Sequence, residues 1–239
     1  MSAPGSPKPG APTLHHLSDS QSQRILWLLE ELALEYKLEY NIVLYARHPK
    51  TKRAPAELAA VHPLGRSPTL VTADGRTLIE SLTITRYLLK TYDTRNKFAA
   101  EDWIREDTLA SFSSATLFPL VTQEMLFDLA AKSVPWPFNY IIKRIKKAHD
   151  KLFSDAEFKK DMELLQSELG EGEWFNGKEL GMADFVMSWP MDVIAVRGYV
   201  DLEKTYPTLY AWRTRLQQRP AWKSALEKGN QYDLDKLLG

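Results

Sequence analysis

The chain has 239 residues, 44% of them hydrophobic and 26% charged, enough for one large core or two modest ones without covalent staples. Lys plus Arg and Asp plus Glu both number 31, so no overall basic charge points to nucleic acid or to an anionic membrane surface. There is no cysteine, which excludes disulfides, zinc–thiolate sites and a protein thiol nucleophile together; any sulfur chemistry must arrive with the ligand.

Residues 1–12 are rich in Pro, Ser, Gly and Ala and lack the apolar stretch of a secretory signal, so they read as a disordered arm. No run approaches the ~18 apolar residues of a membrane span, and the expected compartment is the cytoplasm. A short, partly alternating segment over 13–17 reads as a strand and ends in Ser18-Asp19-Ser20, residue types that open helices. Over 21–33, Ile25, Leu28, Leu29 and Leu32 recur at helical spacing and predict one buried face. A second strand is expected over 38–44, followed by a basic, proline-bearing loop with Arg47, His48, Pro49, Lys50, Lys52 and Arg53.

The run Val61-His62-Pro63-Leu64-Gly65-Arg66-Ser67-Pro68-Thr69-Leu70, followed by Leu78-Ile79-Glu80-Ser81, carries the most information. It reads as a strand entered through a proline, a second strand across Asp74-Gly75, and a helix over 80–92 that opens on a carboxylate and a hydroxyl. Pro68 cannot donate to a ladder, which leaves the backbone of Ser67 free to pair with a bound peptide. Glu80 suits an ammonium, while the Ser81 hydroxyl and the free helix N–H groups suit a carboxylate, so the ligand looks like an amino-acid head group.

Beyond residues 93–96 the strand signals stop and helices are expected over 100–131, 139–169 with a break near Ser154, 182–196, 207–217 and around Trp222. The stretch Gly177 through Phe185 leads into the helix expected over 182–196. The helix it opens is expected to bury Phe185, Trp189, Val193 and Val196.

In order and rough spacing, the helix opening Ser20 to Leu26, the His-Pro-Leu-Gly-Arg-Ser-Pro run, Glu80-Ser81 and the stretch Gly177 to Asp184 resemble a glutathione transferase, nearest the theta-like enzymes of fungi and bacteria. The stretch Arg53 to Leu58 ahead of the His-Pro adds to the likeness. Gly177 to Phe185 resembles that family's internal capping motif, which implies Gly181 at the N-cap, Asp184 at N3 and a staple of Leu180 on Phe185; the departure is Gly181, where the family usually has Ser or Thr. The resemblance implies an α/β plus all-α architecture: a thioredoxin-like glutathione-binding domain over 13–93 and an all-helical domain over 94–239 that forms the electrophile site. It also implies a homodimer with glutathione as co-substrate, a hydrophobic electrophile as acceptor, and no metal or nucleic acid.

A glutathione-type thiol near pKa 8.5 is only about 3% ionised at pH 7, and the thiolate is the nucleophile. A hydroxyl donor at a helix start lowers that pKa. Ser20 holds the position of the theta-like catalytic serine, with Ser18 and Ser22 as rivals; as a plain structural feature Ser20 caps the helix. Another branch of the family uses a tyrosine at the end of the first strand, where His16 stands here as a further rival or an ordinary strand residue. Arg53 and Arg66 are candidates for the glycyl carboxylate, or parts of a solvated basic loop. With Ser67, Pro68, Glu80 and Ser81 they make up the expected glutathione site. A peroxidase side activity, a non-catalytic glutathione-binding module, and a pathway enzyme using glutathione for isomerisation or ring opening would share these motifs.

Overall fold

A four-stranded mixed sheet organises the N-terminal unit of the computed structural model, which describes residues 8–235 and 237. The strands β1 (Thr13–Leu17), β2 (Asn41–Tyr45), β3 (Thr69–Val71) and β4 (Thr77–Leu78) lie in the order β2-β1-β3-β4. Leu14 sits opposite Ile42 in the parallel β1–β2 pair and opposite Leu70 in the antiparallel β1–β3 pair. Parallel strands need a long crossover, supplied by α1 (Ser22–Tyr36); the antiparallel β3–β4 pair needs only a tight turn. Gly75 makes that turn at φ 85°, a conformation that costs glycine nothing, and donates its N–H to Thr72 O at 2.9 Å. The short α2 (Leu58–Val61) and α3 (Ser81–Tyr92) complete the thioredoxin-like pattern.

β2 begins at Asn41, later than the sequence suggests, because the chain leaves α1 through a left-handed Lys37 (φ 60°) and needs the next residues to turn back. Residues 8–12 run against the start of β2: the Lys8 N–H meets Asn41 Oδ1 at 2.8 Å and the Asn41 N–H meets Pro12 O at 2.8 Å. The rest of the expected disordered arm, residues 1–7, lies outside the described residues.

Helix α1 departs from the one-face pattern of its leucines. Every residue from Ser22 to Leu32 is buried, Glu30 and Glu31 included. The cause is α11 (Pro220–Lys228), which belongs to the N-terminal unit with the whole stretch 219–232 and covers the face of α1 turned away from the sheet. Trp27 meets Trp222 edge to face at 5.5 Å, and Glu31 accepts from Trp27 Nε1 at 2.9 Å and Arg219 Nη2 at 2.8 Å. Glu30 takes Lys228 at 2.6 Å together with Ser224 and Tyr40. The sequence reading gives these residues to the helical domain; their contacts return them to α1.

The second unit, residues 98–218 with the C-terminal tail, holds α4 (Trp103–Phe112), α5 (Phe118–Ser133), α6 (Phe138–His149), α7 (Asp155–Leu169), α8 (Met182–Arg197), α9 (Leu202–Thr205) and α10 (Pro207–Gln218). Wider π-helical turns at Ser113–Leu117 and Asp150–Ser154 join α4 to α5 and α6 to α7, where the sequence pattern suggested a continuous helix and a break. The Ser113 hydroxyl sits inside the first turn and donates to Val186 O at 2.9 Å. Helix α8 is buried on all sides from Met182 to Ile194, but Val196 is exposed, against expectation, because it falls in the last turn, beyond the run that the neighbouring helices cover.

The cap of α8 accounts for Gly181. Asp184 accepts the Gly181 N–H at 2.9 Å, the Phe175 N–H at 3.0 Å and Trp212 Nε1 at 2.7 Å, while Glu106 from α4 accepts the Met182 N–H at 2.6 Å. A Cβ at position 181 would lie 2.5 Å from Glu106 Oε1 and 2.7 Å from Asn176 Cβ. The carboxylate of Glu106 thus does the work of a capping hydroxyl and occupies its space. Burial, opposed by the Met182 N–H, pushes the Glu106 pKa up to about 7. Gly181→Ser should therefore destabilise the fold by about 1–3 kcal/mol, as over-packing does, instead of gaining the few tenths of a better cap. In a Glu106→Ala background the cost should shrink. Glu106 binds its proton more tightly folded than unfolded, so its contribution is full below about pH 4.5 and is lost as pH rises to about 7. Urea titrations across that range should show a flatter slope for Glu106→Gln than for wild type.

Candidate functional site

The turn between β1 and α1 brings Ser18, Asp19 and Ser20 to the open end of the helix. Asp19 takes a positive φ of 50° and gives its N–H to Gln231 O at 3.0 Å. The Ser20 hydroxyl donates to Leu17 O at 2.7 Å and accepts the Ser22 N–H at 3.1 Å, which makes Ser20 a cap of α1 and places it at the helix start. Ser18 Oγ accepts the Arg47 N–H at 3.3 Å. Ser22 is fully buried and meets His16 Nδ1 at 3.1 Å. Burial lowers the His16 pKa to about 4, partly offset by Ser22, so the imidazole is neutral at neutral pH. The backbone of Gly229 passes close by: a Cβ there would come within 3.3 Å of His16 Nε2.

The α3 start is joined to this turn through Gln21, a residue the sequence reading did not single out. Its Oε1 accepts from Ser81 Oγ at 3.2 Å and from Arg24. Arg24 is buried, and burial lowers its pKa to about 10 although Tyr232 and Glu80 favour its charge. Gln21 and Arg24 therefore tie the two helix starts together. The only hint in the sequence was their i, i+3 spacing.

The Ser67–Pro68 bond is cis. Ser67 Oγ bridges β1, donating to His15 O at 2.9 Å and accepting the Leu17 N–H at 3.1 Å, while its own backbone N–H and C=O have no partner among the described residues. Glu80 is exposed and takes φ 68°, ψ 115°, a region L side chains rarely enter. No side chain caps α3, so its first N–H groups are left without a side-chain acceptor next to Glu80. Arg53 and Arg66 are both exposed, and neither guanidinium is hydrogen-bonded among the described residues. The structural cation of this region is Arg47, which reaches Ser18 O at 3.0 Å, Lys52 O at 2.9 Å and Asp19 O at 3.3 Å. It braces the basic loop against the turn, and nothing in its sequence context separates it from its basic neighbours.

In the second unit Glu124, His149 and Asp150 bring ligand-type atoms within 4.8 Å of one another, beside a cavity of about 350 Å³. The Lys146 ammonium sits among them, paired with Glu124 and 3.1 Å from Asp150 Oδ2. An ammonium there does what a metal cation would do, and the cluster is an ion-pair network.

Residues 20–91 match the family model of the glutathione S-transferase N-terminal domain, and residues 128–229 that of the C-terminal domain. Glutathione S-transferase 3 of Schizosaccharomyces pombe is 33% identical over 90% of this chain and 86% of its own length. Glutathione S-transferase 1 of Saccharomyces cerevisiae is 29% identical over 90% and 94%. Among solved structures, a glutathione S-transferase from Actinobacillus pleuropneumoniae is 28% identical, with a TM-score of 0.73 over 95% of this chain and 98% of that one. The chain belongs to the glutathione S-transferase family and is a glutathione transferase.

The strained Glu80 gives a direct test of this geometry. A residue forced into such a backbone region costs about 1–3 kcal/mol, held in place by its surroundings. Glu80→Gly should raise the unfolding free energy by about 1 kcal/mol in urea, whereas Glu80→Ala, which keeps the Cβ, should not. Equal stability of the two variants would show that position 80 stores no strain.

Proposed function

We propose that the chain is a theta-like, cytoplasmic enzyme that binds glutathione on the N-terminal unit and joins its thiolate to a hydrophobic electrophile, with hydroperoxide reduction as a side activity. The observation that carries this reading is the α3 start, where an uncapped helix terminus lies beside the strained, exposed Glu80. The Glu80 carboxylate takes the ligand's ammonium, and the Ser81 hydroxyl with the first N–H groups of α3 takes the neighbouring carboxylate. The unpaired backbone of Ser67, ahead of Pro68, pairs with the peptide as an added strand would. Arg53 and Arg66 supply free guanidinium groups for the glycyl carboxylate. In keeping with the family, the enzyme works as a two-fold dimer.

Ser20 is the proposed thiol donor. Its hydroxyl turns from Leu17 O toward the sulfur by rotation about one bond while still accepting the Ser22 N–H, and the positive end of α1 adds to the stabilisation. Lowering a thiol pKa by two units corresponds to about 2.7 kcal/mol. The attack breaks the bond from the electrophilic carbon to its leaving group and forms carbon–sulfur; the thiol proton leaves before this step. The hydrogen bond from Ser20 to Leu17 favours a second reading, a glutathione-binding module that does not activate the thiol.

Two measurements test this. Removing the Glu80 carboxylate deletes a charge-assisted hydrogen bond of about 1.5–3 kcal/mol, so calorimetry should show Glu80→Ala binding glutathione roughly ten- to a hundredfold more weakly. Unchanged affinity would remove Glu80 from the site. Ser20→Ala should leave affinity nearly intact but raise the bound thiol's pKa by about one to two units, read from thiolate absorbance against pH. The deficit in kcat should be largest near pH 7 and shrink above about pH 8.5, where the thiol ionises unaided. Ser18→Ala and Ser22→Ala are the controls. If none of the three shifts the titration, the binding-module reading stands.

A further inference from the structure

Helix α6 turns two polar side chains toward the rest of the unit and leaves its apolar ones outside. Lys146 pairs with Glu124 of α5, and His149 meets Gln123 at 2.6 Å and stacks obliquely on Phe127 at 4.9 Å. No residue of α6 is buried. Phe138, Ile141, Ile145 and Ala148, continued by Leu152 in the π-helical turn, form a single stripe at spacings of three and four residues. They are exposed, Ile141 by 53%, Ile145 by 54% and Leu152 by 70%, and Trp136 just ahead of the helix is 81% exposed. Arg144 and Lys151 lie along the flank of this stripe, with Lys147 and Lys143 beyond them, all exposed. The one carboxylate between residues 136 and 153 is Asp150, which is bound to Lys146.

We propose that α6 is an interfacial anchor that docks this chain on an anionic lipid bilayer. The apolar stripe and Trp136 enter the boundary between headgroups and acyl chains, while Arg144, Lys147 and Lys151 meet lipid phosphates and carboxylates. Charge selects this occupant. A second copy packed stripe to stripe would bring Arg144 and Lys151 against their own kind, and like charges across an interface oppose association. An anionic surface complements Arg144, Lys147 and Lys151 together. No helix among the described residues is long and apolar enough to cross a membrane, so the association is peripheral.

The test is co-sedimentation of the full chain with vesicles of phosphatidylcholine alone and of phosphatidylcholine with about 30% phosphatidylserine, at low and high salt. Binding to the anionic vesicles that weakens with salt, and little binding to the neutral ones, is expected. Each Lys or Arg near such a surface is worth about a fivefold change, so Arg144→Gln with Lys147→Gln and Lys151→Gln should weaken binding roughly a hundredfold. Ile141→Ser with Ile145→Ser should weaken it at least tenfold at either salt. Trp136 emission, taken as the difference between wild type and Trp136→Phe, should shift to the blue with anionic vesicles, and it reads the same contact if the multiple variants fail to fold. Failure of the wild type to bind anionic vesicles, or equal binding to neutral ones, overturns the proposal. So does a fall in solution mass for the isoleucine variant with vesicle binding unchanged, which would assign the stripe to a second copy.

Discussion

The N-terminal unit depends on two buried carboxylates, Glu30 and Glu31, at the middle of α1. Taking an ion out of water costs several kcal/mol, and removing one partner of such a pair typically costs about 3–5 kcal/mol, so these charges oblige the chain to bring cations to them. Arg219 and Lys228 do so from the two ends of α11, more than 180 residues downstream. Once α11 is seated, the chain beyond it is directed to the start of α1. Gly229 slips past His16, the Asn230 side chain holds Tyr45 O at 2.8 Å, and Gln231 O fixes Asp19. The turn that carries Ser20 is therefore positioned from the far end of the sequence.

That dependence marks the boundary of what could be read from the residues alone. The strands around β1, the helix opening at Ser22, the Ser67–Pro68 loop and the Glu80–Ser81 helix start were legible because each rests on local signals: a proline, a turn glycine, a hydroxyl at a terminus. Gln21, Arg24 and Arg47 were not, since their roles consist of contacts with α3 and with the 18–20 turn, of which the i, i+3 spacing of Gln21 and Arg24 is the one local trace. The full burial of α1 was missed for the same reason, because its leucines predict one face and the second face exists only when α11 returns. Gly181 was legible as a cap but not as a glycine, because its reason is Glu106 of a different helix.

Charge shows the same difference between local and whole-chain reading. Equal totals of 31 basic and 31 acidic residues argue against a charged partner when spread evenly over the surface. In the fold the acids withdraw inward, Glu124 to Lys146 and Asp192 to Arg213, each carboxylate almost fully buried. The exposed stretch of α6 is left basic. Neutrality is a property of the sum, whereas a surface is recognised by what stays outside.

The helix starts differ in how their first N–H groups are met. Each α-helix opens with N–H groups that must find acceptors. Asp102 takes two of them on α4, at 3.1 and 3.0 Å; Glu106 takes one on α8; Asp201 takes one on α9 at 3.2 Å; and Ser20 takes the first on α1. Those termini are closed by side chains of this chain. On α3, as on α6 and α11, no side chain caps the start; what sets α3 apart is the residue in the capping position, Glu80, which is exposed and takes a positive φ. A residue that holds an unfavourable backbone conformation while giving up a capping bond is stable only because its neighbours fix it. That pairing of a strained, exposed carboxylate with an uncapped helix start is the feature on which the proposed site for a zwitterionic head group rests.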